Sequence, residues 1–243
     1  PPRSTLFPYT TLFRSQKGEY SSIDAIASRN LDKAVAAASS LGIPRAYGSY
    51  EELLSDSRID AVYIPLPNHL HVPWTIRSAQ SGKHVLCEKP IALNAKEAAS
   101  LVEARDRYGV RIQEAFMVRT YPQWLKAREL VQSGELGKVQ VYQCGFSYDN
   151  PDPASIGNSP EYGGGGLLDI GCYPIVTSRF ILGREPERVV AAIEFDPRYR
   201  VDRLVSALLD YGDVQAQFYC ATQMVPFQSV QILGSRARLE MEV

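Results

Sequence analysis

Gly82-Lys-His-Val-Leu-Cys-Glu-Lys-Pro90 reads as a short buried strand that runs into charge and then stops. His84 to Cys87 supply the strand, Glu88 and Lys89 end it, and Pro90 has no N–H with which to continue a central strand. A carboxylate and an ammonium are thereby delivered to the edge of a sheet on a stiff turn. In open α/β folds, ligands bind at the carboxyl ends of the strands. An isolated Glu-Lys pair would more simply be a surface salt bridge, so the flanking chain has to decide between the two.

Upstream, residues 59–64 (IDAVYI) form a second apolar run, ending in Pro65-Leu-Pro-Asn68. Residues 70–80 have a helical pattern, with Pro73 tolerated in the first turn. Further back, residues 22–27 (SIDAIA) read as a strand closed by Ser28-Arg29-Asn30, followed by a helix over 31–41 that Gly42 stops. A short helix within 47–55 is capped by Ser49, with Glu52 completing a capping box. Downstream, Asn94 and Glu97 cap a helix over 95–108, and residues 110–115 make a further strand. Strand and helix alternate in this way for about a hundred residues, the pattern of βαβ units and a parallel sheet covered on both faces. Right-handed crossovers place every strand's C-terminus on one edge. Ser28-Arg29, Pro65 to Asn68 and Glu88-Lys89 therefore converge.

The rhythm changes after a helix over 122–133. Residues 139–146, 188–195, 204–211, 214–221 and 230–233 are strand-like, and one clear helix intervenes at 167–182. This predicts an α+β domain with a large, mostly antiparallel sheet. Val139 and Val141 point to one face of the first of these strands, and Tyr142, Cys144 and Phe146 to the other. A sheet apolar on both sides needs two covers; helix supplies one, and a second subunit is the expected other, giving a homodimer or higher homo-oligomer.

The 243 residues carry a formal net charge of −1, with 45% hydrophobic and 22% charged residues. That balance argues against nucleic acid as a partner, and no run reaches the roughly 20 apolar residues of a membrane span. Cys87, Cys144, Cys172 and Cys220 form no CxxC pair, which favours reduced core thiols and a cytoplasmic location. His69 and His71 lack a third ligand, so no metal is expected. Residues 5–15 (TLFPYTTLFRS) resemble a translated sequencing adapter, and residues 1–16 are set aside as a non-native arm. Both ends read as cuts. The expected domains are 17–118, an incomplete dinucleotide-binding unit, and 119–243.

Three segments together resemble the glucose–fructose oxidoreductase/inositol dehydrogenase (Gfo/Idh/MocA) family of NAD(P)-dependent oxidoreductases. They are Ile64-Pro-Leu-Pro-Asn-His-Leu-His71, Gly82 to Pro90, and Gly163-Gly-Gly-Gly-Leu-Leu-Asp-Ile-Gly-Cys-Tyr173. The Tyr in the last segment is similar to the dihydrodiol dehydrogenase and xylose-type 1-dehydrogenase branch. The resemblance implies a Rossmann-type domain, here without its first strand and glycine-rich turn, followed by a substrate domain. It implies hydride transfer between NADP, in preference to NAD, and a hydroxyl of a sugar or cyclic diol.

On this resemblance Ser28, Arg29, Pro65, Leu66, Asn68, His71, Glu88, Lys89 and Pro90 contact the cofactor. Arg29 stands where an acidic residue would bind a ribose 2′-hydroxyl and an Arg accommodates a 2′-phosphate; the plainer alternative is a solvated Arg at a helix start. His71 could equally be a packed imidazole. Lys89 and Tyr173 are the expected catalytic pair, the lysine at a domain interface that lowers its pKa and the phenol as general acid/base. Asp169, four residues before Tyr173 and so on the same helical face, holds a substrate hydroxyl, and Arg119 is a further substrate-pocket residue. Two rival readings stay open: an NADP-binding regulator on the same fold, and an inactive fragment.

Overall fold

The computed structural model describes residues 22–242, so the arm expected at 1–16 lies outside the described residues. The chain divides into two compact units, one holding the described residues up to Leu66 together with Leu70–Glu114, the other Pro67–His69 and Ala115 onward.

In the first unit, β1 (Ala25–Ala27) leads through α1 (Leu31–Leu41) to β2 (Arg45–Tyr47) and α2 (Tyr50–Ser55). Then come β3 (Ala61–Ile64), α3 (His71–Gln80), β4 (His84–Glu88), α4 (Ala95–Tyr108) and β5 (Ile112–Ala115). All the β1–β2 and β3–β4 pairing is parallel, as the alternation predicts. The expected single sheet is nevertheless in two pieces among the described residues, β1–β2 and β3–β4–β5. Both β1 and β3 line a cleft of about 720 Å³, so their facing edges open onto it instead of onto each other.

Local chemistry sets the boundaries. Asn30 Oδ1 accepts the Lys33 N–H at 3.0 Å to start α1, and Gly42 ends it at φ +67°. Ser49 caps α2 as expected, but Glu52 reaches back to the Gly48 N–H (3.0 Å), one residue earlier than the capping box predicts. Asn94 Oδ1 accepts from Glu97 N–H while Glu97 Oε2 accepts from Leu93 N–H, both at 3.0 Å. Such a cap is worth about 1 kcal/mol. Lys83, inside the stretch that decides the fold, is buried; its ammonium donates to the Asp56 and Ile59 carbonyls at 2.8 and 2.7 Å. A buried ammonium needs such partners, and these tie the start of β4 to the turn before β3.

The second unit is built on a six-stranded sheet, ordered β11-β10-β6-β9-β8-β7 once the strands are numbered in chain order. They are β6 (Val139–Asp149), β7 (Arg188–Phe195), β8 (Asp202–Asp210), β9 (Gln215–Ala221), β10 (Gln223–Gly234) and β11 (Arg238–Glu242). Only β6 and β9 pair in parallel; the other neighbours are antiparallel. α5 (Pro122–Gln132) and α6 (Cys172–Leu182) belong to the same unit, and Trp124, Tyr142, Phe218, Ile181, Val205 and Ile232 are members of its buried core. Tyr142 Oη and Thr177 Oγ1, 2.6 Å apart, fasten α6 to β6.

The other face of the sheet carries a hollow of about 720 Å³ whose lining, including Gln143, Val190, Leu208, Gln217, Tyr219 and Phe227, contains no charged residue. β7 is exposed along its whole length. The helix expected at 167–182 is two helices in series: a π turn over Leu167–Gly171, then α6. The cysteines are free, and burial pushes the Cys87, Cys144 and Cys220 thiols up to about 12.

Candidate active site

In the first unit, the strand ends carry the polar groups that topology predicts there. β4 ends at Glu88, followed by the cis Lys89–Pro90 bond. Glu88 Oε1 accepts the Tyr63 hydroxyl from neighbouring β3, and Glu114 Oε1, on β5, accepts the Ile91 N–H at 2.9 Å. The Glu88-Lys89-Pro90 turn is thus held from both adjoining strands, and Lys89 itself is half-buried.

His71 is 1% exposed, with Nδ1 2.7 Å from the Pro90 carbonyl and Nε2 2.7 Å from the Leu66 carbonyl. Its ring therefore bridges two strand-end loops. The ring is packed, with a carbonyl partner at each nitrogen. Asn68 groups with the second unit, where its amide donates to the Gly163 carbonyl at 2.8 Å.

Ser28, Pro65 and Leu66 line the cleft that β1 and β3 share, while Arg29 is exposed at the end of β1. Lys33, which sequence reasoning passed over, lines the same cleft from the first turn of α1. The cleft runs along the facing edges of β1 and β3; its lining includes the cations Lys33 and Arg58, the carboxylates Asp24 and Asp60, and the Ser28 hydroxyl near the end of β1, with Arg29 exposed beside it.

In the second unit, Asp169 lies within the π turn and Tyr173 at the start of α6. Both are half-buried. The Tyr173 ring packs edge-on against Phe116, centroids 5.0 Å apart, and against Phe146 at 5.6 Å. Asp169 Oδ2 accepts the Tyr148 hydroxyl at 2.5 Å. Burial, and then the Asp169 charge, push the Tyr148 phenol far above the ordinary tyrosine range, so it remains a donor.

The turn itself is anchored by Asp202, whose Oδ2 accepts the Leu167 N–H at 2.5 Å. Burial raises the Asp202 carboxyl above the usual carboxylate range. Arg119, at the end of a 3₁₀ turn over Met117–Arg119, is exposed. Tyr148 and Asp202 were both missed by sequence reasoning. Tyr148 continues the parity of Tyr142, Cys144 and Phe146, and was lost because β6 runs three residues past the expected end at 146.

Comparison with known proteins gives a consistent picture. Residues 8–116 match the family described as oxidoreductases with an NAD-binding Rossmann fold, and residues 124–240 match the GFO/IDH/MocA C-terminal domain. The chain is 46% identical over 188 residues to a D-xylose 1-dehydrogenase (NADP(+)) of Haloferax volcanii, covering 77% of this chain and 57% of that protein. It is 31% identical over 237 residues to the trans-1,2-dihydrobenzene-1,2-diol dehydrogenase of Mus musculus, covering 96% of this chain and 70% of that protein. A 3-ketoreductase from Actinomadura kijaniata, crystallised with NADP and TDP-benzene, superposes with a TM-score of 0.88 at 30% identity, covering 96% of this chain and 71% of that one. The chain thus spans little more than half the length of the xylose dehydrogenase. Among the described residues, no helix is long and apolar enough to cross a membrane.

Proposed function

The chain belongs to the GFO/IDH/MocA family of NAD(P)-binding oxidoreductases, and from that premise we propose that it moves hydride between NADP and a hydroxyl-bearing carbon of a sugar or cyclic diol. The observation that carries this reading is the glycine-fronted π turn and the helix that follows it, on which a carboxylate, Asp169, and a phenol, Tyr173, stand four residues apart. A polyol offers hydroxyls that such a pair can bind and deprotonate.

The cofactor supplies the redox chemistry when bound. Arg29 and Lys33 are the groups for its 2′-phosphate and Ser28 for its ribose, with Pro65, Leu66, Asn68, Glu88 and Pro90 along the strand ends. His71 holds two of those loops in place. Tyr173 takes the proton from the substrate hydroxyl, and Lys89, at the end of β4, is the second catalytic residue. Asp169 orients a substrate hydroxyl by accepting its hydrogen bond, and Arg119 lines the sugar side. A second copy of the chain covers the uncharged sheet face; an isologous interface suits a surface with no like charges to oppose.

The test is fluorescence titration with NADPH and with NADH, followed by turnover assays with NADP⁺ on D-xylose and on trans-1,2-dihydrobenzene-1,2-diol. Saturable binding that prefers NADPH, with turnover of one of these substrates, is expected. Tyr173→Phe and Lys89→Ala should each lower turnover by roughly a hundredfold or more. Binding of NADPH without turnover would point to a regulator, and no binding by folded protein would overturn the cofactor assignment.

A further inference from the structure

We propose that Tyr148 is a positioning residue for Asp169, and that β6 thereby sets the direction from which a substrate hydroxyl is held. This rests on the reading of Asp169 as the substrate-orienting carboxylate.

Asp169 sits in a π turn, Leu167–Gly171, not in a regular α-helix. Hydrogen bonds in such a turn span one residue more than in an α-helix, and these turns recur at functional sites because they re-aim a side chain at a cost in regularity. The helix register therefore leaves the carboxylate's direction to be fixed from outside. Tyr148 does this from β6, its hydroxyl 2.5 Å from Asp169 Oδ2. The phenol is half-buried and stays protonated, so the tie persists across the working pH range.

The same strand registers Tyr173. Phe146 lies two residues before Tyr148, hence on the same face of β6, and its ring packs against the Tyr173 ring at 5.6 Å. One strand thus grips both side chains of the proposed site at adjacent same-face positions. The turn is seated closely against the sheet: a Cβ at Gly171 would lie 2.8 Å from Cys220 Sγ on β9. A carboxylate with one oxygen committed to Tyr148 meets a hydroxyl in a defined orientation. Such an arrangement discriminates among polyol stereoisomers by hydrogen-bond direction, because an epimer leaves a buried polar group unpaired.

The experiment is Tyr148→Phe in the full chain, which removes the hydroxyl and keeps the ring. With D-xylose and NADP⁺, KM for the sugar should rise roughly tenfold, as for loss of one charge-assisted hydrogen bond, while KM for NADP⁺ stays within twofold. A purely structural role would move both. Crystal structures of the wild type and Tyr148→Phe form the second arm, with the Asp169 side chain expected in a different rotamer. A sugar KM within twofold of wild type, or an Asp169 side chain that does not move, overturns the proposal. If the wild type turns over neither D-xylose nor any other aldose or diol, the functional reading fails, and the two crystal structures still decide whether Tyr148 positions Asp169.

Discussion

Gly165→Ala should be among the most damaging single substitutions in the second unit. Gly165 has φ +121°, and a Cβ built there would lie 2.1 Å from Asp202 Oδ1 and 3.1 Å from its Cγ. The cost has two parts. Backbone at such positive φ is unfavourable for any residue with a Cβ, and holding alanine in it costs about 1–3 kcal/mol. The carboxylate must also withdraw by roughly an ångström to regain an ordinary contact, which breaks the 2.5 Å bond it accepts from Leu167 N–H. A hydrogen bond to a charged group is worth about 1.5–3 kcal/mol. Together these give about 4 kcal/mol, or roughly 15 °C in Tm for a unit of this size. The assay is thermal unfolding of Gly165→Ala, Asp202→Ala and the double variant. Once Asp202 is truncated the clash is gone, so alanine at 165 should cost only its backbone part. The double variant should therefore be less destabilised than the sum of the singles by about 1.5–3 kcal/mol. Additivity within about 0.5 kcal/mol would refute the contact as the cause.

Asp56 gives a pH dependence. The Arg58 guanidinium, then the Tyr47 hydroxyl, hold its carboxyl far below the usual range. A depressed carboxyl stabilises the fold above its unfolded pKa, near 4, and that stability is lost as pH falls toward the folded value. Wild-type Tm should accordingly fall more steeply than that of Asp56→Asn between about pH 5 and pH 2; parallel curves would contradict it. On the open sheet face, Val190 is 58% exposed beside an uncharged hollow. Val190→Asp should convert a dimer to a monomer in sedimentation velocity, and a wild type that is already monomeric at micromolar concentration would remove the second copy.

Lys89 was placed by sequence because its position depends on near neighbours: an apolar run, then a proline that cannot donate to a ladder. The same holds for the caps at Ser49 and Asn94, each of which bonds a backbone N–H three residues on. The alternation of strand and helix up to residue 115, and the change of rhythm beyond it, followed from periodicity alone.

What tertiary structure decided lies at long range. Tyr148 meets Asp169 across 21 residues, and Asp202 meets Leu167 across 35. Lys83 is buried in the fold, where its ammonium ties the start of β4 to the turn before β3, across 24 and 27 residues. The helix at 167–182 was legible as a helix, yet its π turn was not, because that register is set by the seating of Gly171 on Cys220 and by the Asp202 carboxylate. Local pattern fixes which residues turn inward, since period and cap chemistry act within a few residues. Which inward residues touch depends on strand register and layer spacing, and those are properties of the packed whole.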